Sequence, residues 1–329
     1  MGRLASFITI VVAAAACTSG GSSEASDRRL QVVTTVSPIT NIVANVGGDR
    51  VRVTAIVPEG TNSHTFEPAP SDAAVMTGAD VVFVNGLHLE EPTLELADAN
   101  VREGVPIVEL GAEAITEDEW IYDFSFPEAA GDPNPHLWTS PPLARRFAEI
   151  VRDELSRVDP AGTADYRANF VAFADRLDEL DRVAREVTAS VPPEHRKLLT
   201  YHDSFPYFAR EYGWEVIGAI QPSDFADPTA QEVAGLIDQV RSEGLPAIFG
   251  SEVFPSPVLE QIAAETGATY VDDLRDDDLP GEPGEPAHSY IGLMVFDFRT
   301  IMGALGGDVT AFDALDTTNL SEGNATYRT

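Results

Sequence analysis

The sequence predicts an α/β fold with two lobes, each having a parallel-type central sheet and flanking helices, joined by one long rigid helix. Three observations support this prediction. The chain has 329 residues, 43% of them hydrophobic, which is enough for two cores of ordinary size. Short apolar runs alternate with helical patterns in both halves of the chain. A single long helical pattern separates the two sets of runs.

The first residues, MGRLASFITIVVAAAAC, indicate export. They hold one basic residue, a mainly apolar stretch that is too short to span a bilayer, and Cys17, the only cysteine. Because this resembles the bacterial lipoprotein pattern, we interpret 1–16 as a signal peptide and Cys17 as the lipidated residue; an ordinary signal peptide with an incidental cysteine is the alternative. The Gly- and Ser-rich segment 17–29 predicts a disordered tether. No cysteine then remains for redox chemistry or Cys-rich zinc sites.

The chain is strongly acidic, with a formal charge of −33 from 54 acidic and 21 basic residues. Nucleic acid is therefore not an expected partner, because phosphate binding needs clustered Lys and Arg. A negative field attracts cations, but an acidic surface suited to salt or solubility accounts for most of this charge without any site.

Four apolar runs predict the strands of the first lobe, residues 30–158: LQVVTTVSPI (30–39), VRVTAIVP (51–58), DVVFVNG (80–86) and VPIVELG (105–111). Four more predict those of the second lobe, residues 196–329: KLLTYHDS (197–204), WEVIGAIQ (214–221), PAIFGSEVF (246–254) and ATYVDDL (268–274). Strands that alternate with helices imply parallel sheets with crossover helices. In such sheets ligands collect beyond the carboxyl ends of the strands.

Segment 159–195 predicts the linker helix. Apolar residues recur at steps of three and four from Phe170 to Val183, Asp159-Pro160 supplies a start signal, and Pro192-Pro193 supplies a stop. A helix of roughly 30 residues would be about 45 Å long and would act as a stiff strut. By contrast, 113–135 has no clear periodicity, and we expect it to be a surface excursion.

Three histidines lie where strands give way to loops: His64, His136 and His202. Asp272, at the end of a predicted strand, is a fourth candidate ligand. These residues are too far apart in sequence for a zinc-finger loop, so the fold would have to assemble them, two from each lobe. Imidazole nitrogen and carboxylate oxygen bind borderline divalent ions at about 2.0 to 2.2 Å. Spacing alone is weak evidence for any one of them.

Several motifs in fixed order make the evidence stronger. SHTFEP, NPHLWTSP, HDSFPYF, TYVDDL and SYIGLM, with the long helix between them, resemble the cluster A-I solute-binding lipoproteins (family 9) of zinc and manganese ATP-binding-cassette importers. The resemblance covers residues 30 to about 305. It implies that His64, His136, His202 and Asp272 are the four metal ligands. It also implies a monomer outside the cytoplasm, anchored to the membrane by its lipid, that passes the ion to a membrane permease.

This chain departs from the family pattern at two points. Asn134 stands where Asp-Pro-His is usual, and VDDL offers Asp272 and Asp273 where Asp-Ser is usual. Strand alternation would let only one of these two carboxylates face the cleft. Glu67 could accept the second ring proton of His64 or cap the helix that begins near Ser71.

We do not assign the other candidate residues as metal ligands. We expect His88 to face solvent or to lie behind the ligands, and His195 and His288 to be structural. Glu252 could have an interlobe role or none. Beyond Asp272, we interpret the acidic stretch 272–285 as a mobile loop.

Three nitrogens and one carboxylate suit the tetrahedral preference of zinc, so zinc is the predicted cargo, with manganese as the alternative. Zinc-dedicated members of the family often carry a His-rich loop before the second ligand, whereas 113–135 has no histidine. A secreted zinc hydrolase is the rival from another class, but no HExxH motif is present and four protein ligands would leave no open position. We therefore predict no enzymatic activity. Cell adhesion is a third possibility, without independent support in the sequence.

Overall fold

The computed structural model describes Gly2 and residues 29–221, 228–251 and 256–328. The predicted signal peptide and tether, with Cys17, therefore lie outside the described residues apart from Gly2 and Arg29, and so does Glu252. Two parallel sheets with flanking helices confirm the predicted fold class. Within the described part of the chain, no helix is long and apolar enough to cross a membrane.

The first sheet has the strand order β4-β3-β1-β2-β9. Its elements up to the linker are β1 (Leu30–Thr34), α1 (Ser37–Gly47), β2 (Val51–Ala55), α2 (Asp72–Gly78), β3 (Val81–Val84), α3 (Glu91–Asn100), β4 (Ile107–Glu109), α4 (Leu110–Ala114) and α5 (Pro141–Val158). Strand β3 is buried at all four positions. A strand covered on both faces appears in the sequence as a continuous apolar run, and this is why β3 was recognisable.

The second sheet has the order β6-β5-β7-β8 and follows the long helix α6 (Thr163–Ser190). Its elements are β5 (Lys197–Thr200), α7 (Pro206–Tyr212), β6 (Glu215–Ala219), α8 (Ala230–Glu243), β7 (Ala247–Ser251), α9 (Pro257–Thr266), β8 (Thr269–Leu274) and α10 (Tyr290–Ala304). All four strands predicted for this lobe are present. Of the α-helices in the described ranges, five carry proline in their first turn, where its fixed φ suits the helix and its missing N–H costs nothing: α1, α3, α5, α7 and α9.

Helix α6 has 28 residues and is therefore about 42 Å long. It is shorter than the predicted 159–195 because 160–162 and 193–195 form separate 3-10 turns. The predicted stripe from Phe170 to Val183 is buried. Helix α6 contacts α1 and α5 of the first lobe and α7 and α10 of the second. It thus packs along both lobes, as a strut would.

The apolar interior differs from the two separate cores that were predicted. The largest buried cluster includes Val32 and Phe83 of the first sheet together with Leu198 and Phe249 of the second. Residues of α6 and α10 belong to the same cluster and connect the two sheets. Because this shared core would resist separation of the lobes, only a small relative tilt is compatible with intact packing.

The C-terminal strand β9 (Ala325–Thr326) also differs from the predicted domain boundaries. The segment 196–329 was assigned to the second lobe, but Ala325 and Thr326 pair with Val53 and Thr54 of β2 in the first sheet. A two-residue strand leaves no periodic pattern to recognise. The last of the described strands therefore belongs to the first sheet.

Gly292 near the start of α10 allows a close approach of the backbone. A Cβ at this buried position would lie 2.0 Å from the carbonyl oxygen of Ala287. We expect Gly292→Ala to lower the free energy of unfolding by about 2 to 3 kcal/mol, measured by urea denaturation, because backbone must move to make room. Gly303→Ala in the same helix is the matched control, since its Cβ would meet only Val309 at 3.6 Å. Equal stabilities of the two variants would contradict this account.

Candidate metal centre

Three imidazoles converge at one point between the sheets. The Nε2 atom of His64 lies 3.2 Å from that of His136 and 3.0 Å from that of His202, and the last two are 3.1 Å apart. His64 is on the loop after β2, His136 precedes α5, and His202 follows β5 by two residues. Among the described residues, this is the one group of at least three His, Cys, Asp or Glu side chains whose ligand atoms all lie within 4.8 Å of one another.

The spacing of the three nitrogens suits a divalent ion. Three nitrogens at zinc-bond length in a tetrahedral arrangement lie about 3.3 Å apart, close to the spacing found here. Three nitrogens on one face of an octahedron with slightly longer bonds lie at nearly the same spacing. The triangle of nitrogens therefore indicates a transition-metal site but does not select the metal.

The charge state of the trio also favours a cation. Burial, with a smaller contribution from His202, holds the pKa of His64 well below its usual value. Burial followed by the charges of His202 and His64 does the same to the pKa of His136. The three Nε2 atoms lie 3.0 to 3.2 Å from one another, and lone pairs that face each other at this distance repel unless a cation or a proton lies between them.

Two buried amides orient the rings from behind. The Asn134 side-chain oxygen lies 2.8 Å from Nδ1 of His136 and accepts a bond from its backbone N–H at 3.0 Å. The Gln221 side-chain oxygen lies 3.0 Å from Nδ1 of His202. Since an amide oxygen can only accept, each Nδ1 carries the proton and each Nε2 keeps its lone pair for an ion.

Asn134 is itself held by the second lobe. Its Nδ2 donates to Asp123 Oδ2 at 2.9 Å and to the backbone oxygen of Asp203 at 2.5 Å. These two bonds fix which end of the amide faces His136. The Asp123 and Asp203 carboxyls are hydrogen-bonded to each other, and burial raises the pKa of both, so that one proton is shared between them.

His64 is positioned by its own loop. Asn62 Oδ1 accepts a bond from the backbone N–H of His64 at 2.9 Å, and Asn62 O accepts one from Thr65 N at 3.3 Å. Glu67 is exposed, and no hydrogen bond among the described residues joins it to His64 or caps α2 with it. Glu67 therefore has neither of the roles predicted for it. Asn62, through its bonds to His64 and Thr65, holds the conformation of this loop.

Asp272 is not brought to the three histidines. Both Asp272 and Asp273 are exposed, because β8 is an edge strand of the second sheet, and neither belongs to the ligand group. The acidic segment 276–278 lies beside His202. Asp276 Oδ2 accepts a bond from Ser204 Oγ at 2.6 Å, and Asp276 lines a small cavity together with His202.

Segment 276–278 also touches the first lobe. The backbone oxygen of Asp276 accepts a bond from Trp138 Nε1 at 2.7 Å, and Asp278 Oδ2 accepts one from Gly60 N at 2.7 Å. The sequence contains Asp-Asp-Leu twice, at 272–274 and at 277–279. The first copy was chosen because it ends an apolar run, but the chain reaches the cleft only after that strand has ended.

The remaining histidines lie elsewhere. His88 is exposed, has a positive φ of 63°, and pairs with Glu91 at 2.5 Å and Asp132 at 3.3 Å; the bond to Glu91 is the main cause of its raised pKa. His195 Nδ1 lies 3.1 Å from the backbone oxygen of Leu305. His288 is buried and packs edge-on against Tyr327. None of the three belongs to the ligand group.

The segment 113–135 is not merely a surface excursion. Ser125 and Phe126 are buried, and the Phe126 ring packs against all three imidazoles of the candidate site. The aromatic-rich stretch WIYDFSF, residues 120–126, was a signal of burial that the missing periodicity obscured.

Asn134 gives a direct test of how much ring orientation matters. Asn134→Ala removes the acceptor behind His136, so we expect zinc affinity to fall by about 10- to 100-fold in a chelator competition assay. Asn100→Ala, which removes an amide bonded only to the helix backbone at Leu96, should leave affinity unchanged. An affinity of Asn134→Ala within twofold of the parent would show that the amide does not position the ring.

The chain matches known proteins along most of its length. Residues 32–304 match the family model described as zinc-uptake complex component A, periplasmic. The chain is 28% identical over 280 residues to the manganese-binding lipoprotein MntA of Halalkalibacterium halodurans, covering 84% of this chain and 88% of the relative. It is 30% identical over 279 residues to the iron-binding protein YfeA of Yersinia pestis, covering 85% and 87%. The solved structure of the periplasmic zinc-binding protein TroA from Treponema pallidum superposes with a TM-score of 0.76 at 27% identity, over 85% of this chain and all of that one.

Proposed function

We propose that this chain, which belongs to the family of periplasmic zinc-uptake complex component A proteins, is a solute-binding protein. It captures zinc outside the cytoplasm and delivers it to an ATP-binding-cassette importer. The observation that carries this proposal is the convergence of three Nε2 atoms, from loops of both lobes, within 3.2 Å of one another. The alternative of a zinc hydrolase is not proposed, because the chain belongs to an uptake family whose cargo is bound and released unchanged.

Zinc is proposed over manganese because of the donor set. Three imidazole nitrogens leave one position for a carboxylate in a tetrahedral shell, whereas manganese favours carboxylate, carbonyl and water oxygen. The named relatives include manganese-, iron- and zinc-binding proteins, so the fold serves more than one metal. The choice between zinc and manganese therefore has to be argued from the residues of the site and not from the fold.

The fourth ligand is proposed to come from segment 276–278 in place of Asp272. Asp276 is hydrogen-bonded beside His202, and Asp278 is bonded to Gly60 on the loop that carries His64. Asp277 lies between these two contacts. A carboxylate from this segment can approach the nitrogen triangle, while Asp272 is exposed on its strand.

Capture and delivery follow from this arrangement. His64 and His136 come from the first lobe, and His202 and the acidic segment come from the second. An ion therefore ties the lobes together, and a small tilt about α6 would complete or break the shell. The lipidated Cys17 and the tether would hold the loaded protein at the membrane near the permease.

Metal titration tests the proposed function. Protein stripped with a chelator is titrated with zinc and manganese in competition, and bound metal is counted by native mass spectrometry. We expect one ion per chain, with zinc displacing manganese. Stoichiometric binding of neither ion would contradict the function, whereas displacement of zinc by manganese would contradict only the choice of metal. For the fourth ligand, Asp276→Ala or Asp277→Ala should weaken zinc binding, and Asp272→Ala is the matched control.

A further inference from the structure

The ring of Phe126 covers one face of the triangle formed by the three ligand imidazoles. Its centroid lies 5.5 Å from that of His64, 5.9 Å from that of His136 and 6.1 Å from that of His202. The imidazole centroids are 4.8 to 5.1 Å apart. A centroid so nearly equidistant from three others lies near the axis through the middle of their triangle. The phenyl ring of Phe126 therefore occupies the position that a metal ligand approaching along that axis would need.

The ring is held in place by a tight turn. Asp123 N donates to the backbone oxygen of Phe126 at 2.9 Å, and Phe126 N donates back to Asp123 Oδ1 at 3.2 Å. The side chain of Phe126 is only 9% exposed. These bonds close the turn on itself and restrict the direction in which the ring can point.

The turn is fixed to both halves of the site. On the first-lobe side Asn134, which orients His136, donates to Asp123. On the second-lobe side Ser125 Oγ donates to the backbone oxygen of Gln221 at 2.7 Å, and Gln221 orients His202. The residues that orient the imidazoles thus also position the phenyl ring.

We propose that Phe126 is a specificity-determining residue, whose ring denies water and further ligands one face of the histidine triangle and thereby favours zinc over manganese. This inference rests on the proposed function. A phenyl ring has no lone pair to offer an ion, so every ligand beyond the three nitrogens must come from the opposite face. Zinc is satisfied by one more ligand, whereas manganese favours additional oxygen ligands, including water. Excluding water therefore costs manganese more than zinc.

The test compares Phe126→Ala with Phe124→Ala, a matched control in the same turn whose ring is 53% exposed. Zinc and manganese dissociation constants are measured by chelator competition, and the coordination number of bound zinc is measured by X-ray absorption. In Phe126→Ala we expect the preference for zinc over manganese to fall at least about tenfold and the bound zinc to gain an oxygen ligand. Phe124→Ala should behave like the parent.

Phe126→Leu keeps the test decisive if the alanine variant does not fold. Leucine covers part of the face, so its zinc preference should lie between those of the parent and Phe126→Ala. If folded Phe126 variants bind zinc with the parental preference and coordination number, the inference is overturned while the proposed function stands. If the parent protein itself binds neither ion stoichiometrically, the proposed function fails instead.

Discussion

Replacement of His202 by alanine is expected to lower zinc affinity by roughly 100- to 1,000-fold. Structural zinc sites with four protein ligands bind with about 10 to 16 kcal/mol, so that one ligand contributes on the order of 3 to 4 kcal/mol. His202 is also the proposed ligand from the second lobe, and its Nε2 atom faces both His64 and His136. Its loss should therefore weaken both the connection between the lobes and the binding of the ion. The affinity is measured by competition with a chelator of known zinc affinity.

His195→Ala provides the control for this substitution. His195 belongs to the same lobe, but it lies outside the ligand group and bonds to the backbone of Leu305. It should bind zinc as the parent does. Zinc affinity of His202→Ala within threefold of the parent, in a protein that still unfolds cooperatively, would remove His202 from the ligand set.

The sequence was sufficient to predict the architecture because parallel sheets leave strong patterns. Central strands such as β3 and β7 are buried along their whole length and form uninterrupted apolar runs. The buried stripe of α6 repeats at helical spacing over many turns. Such patterns depend on local periodicity, which a single sequence displays. Strand β9 has two residues and no periodicity, and it went unpredicted.

The site was predictable only where a motif named the residue. The three histidines follow the carboxyl ends of strands or open a helix, and the resemblance to a known family selected them from six candidates. Asp272, the predicted fourth ligand, is instead exposed on β8, because this strand continues to Leu274 at the edge of the second sheet. The sequence contains two Asp-Asp-Leu copies, and it does not show where β8 ends.

The segment around Phe126 shows a different limit. Its contacts are made to residues far away in sequence, among them Asp203 and Gln221. An irregular segment can be buried when its backbone groups find such partners, but no periodic signal announces it. This is why the amides behind the rings and the phenyl ring were not predicted, although the three histidines that converge were.

Acidification is expected to weaken zinc binding and to destabilise the metal-free protein, both at pH values below about 6.5. The pKa values of His64 and His136 are lowered in the folded protein, mainly by burial. Below the ordinary histidine value the unfolded chain therefore binds more protons than the folded one, so stability falls as pH falls. Above that value both states are neutral at these positions, and stability should not depend on them.

The same shifts set the pH range of zinc release. Protons compete with zinc only once the imidazoles can accept them, so affinity should be constant from pH 7.5 to about 6.5 and decline at more acid pH. Zinc titrations between pH 7.5 and 4.5 measure the profile, and thermal unfolding of the metal-free protein over the same range measures the stability. His195→Ala should reproduce both curves, because its imidazole lies outside the ligand group. A decline that begins above pH 7 would be incompatible with imidazole ligands whose pKa values are lowered by burial.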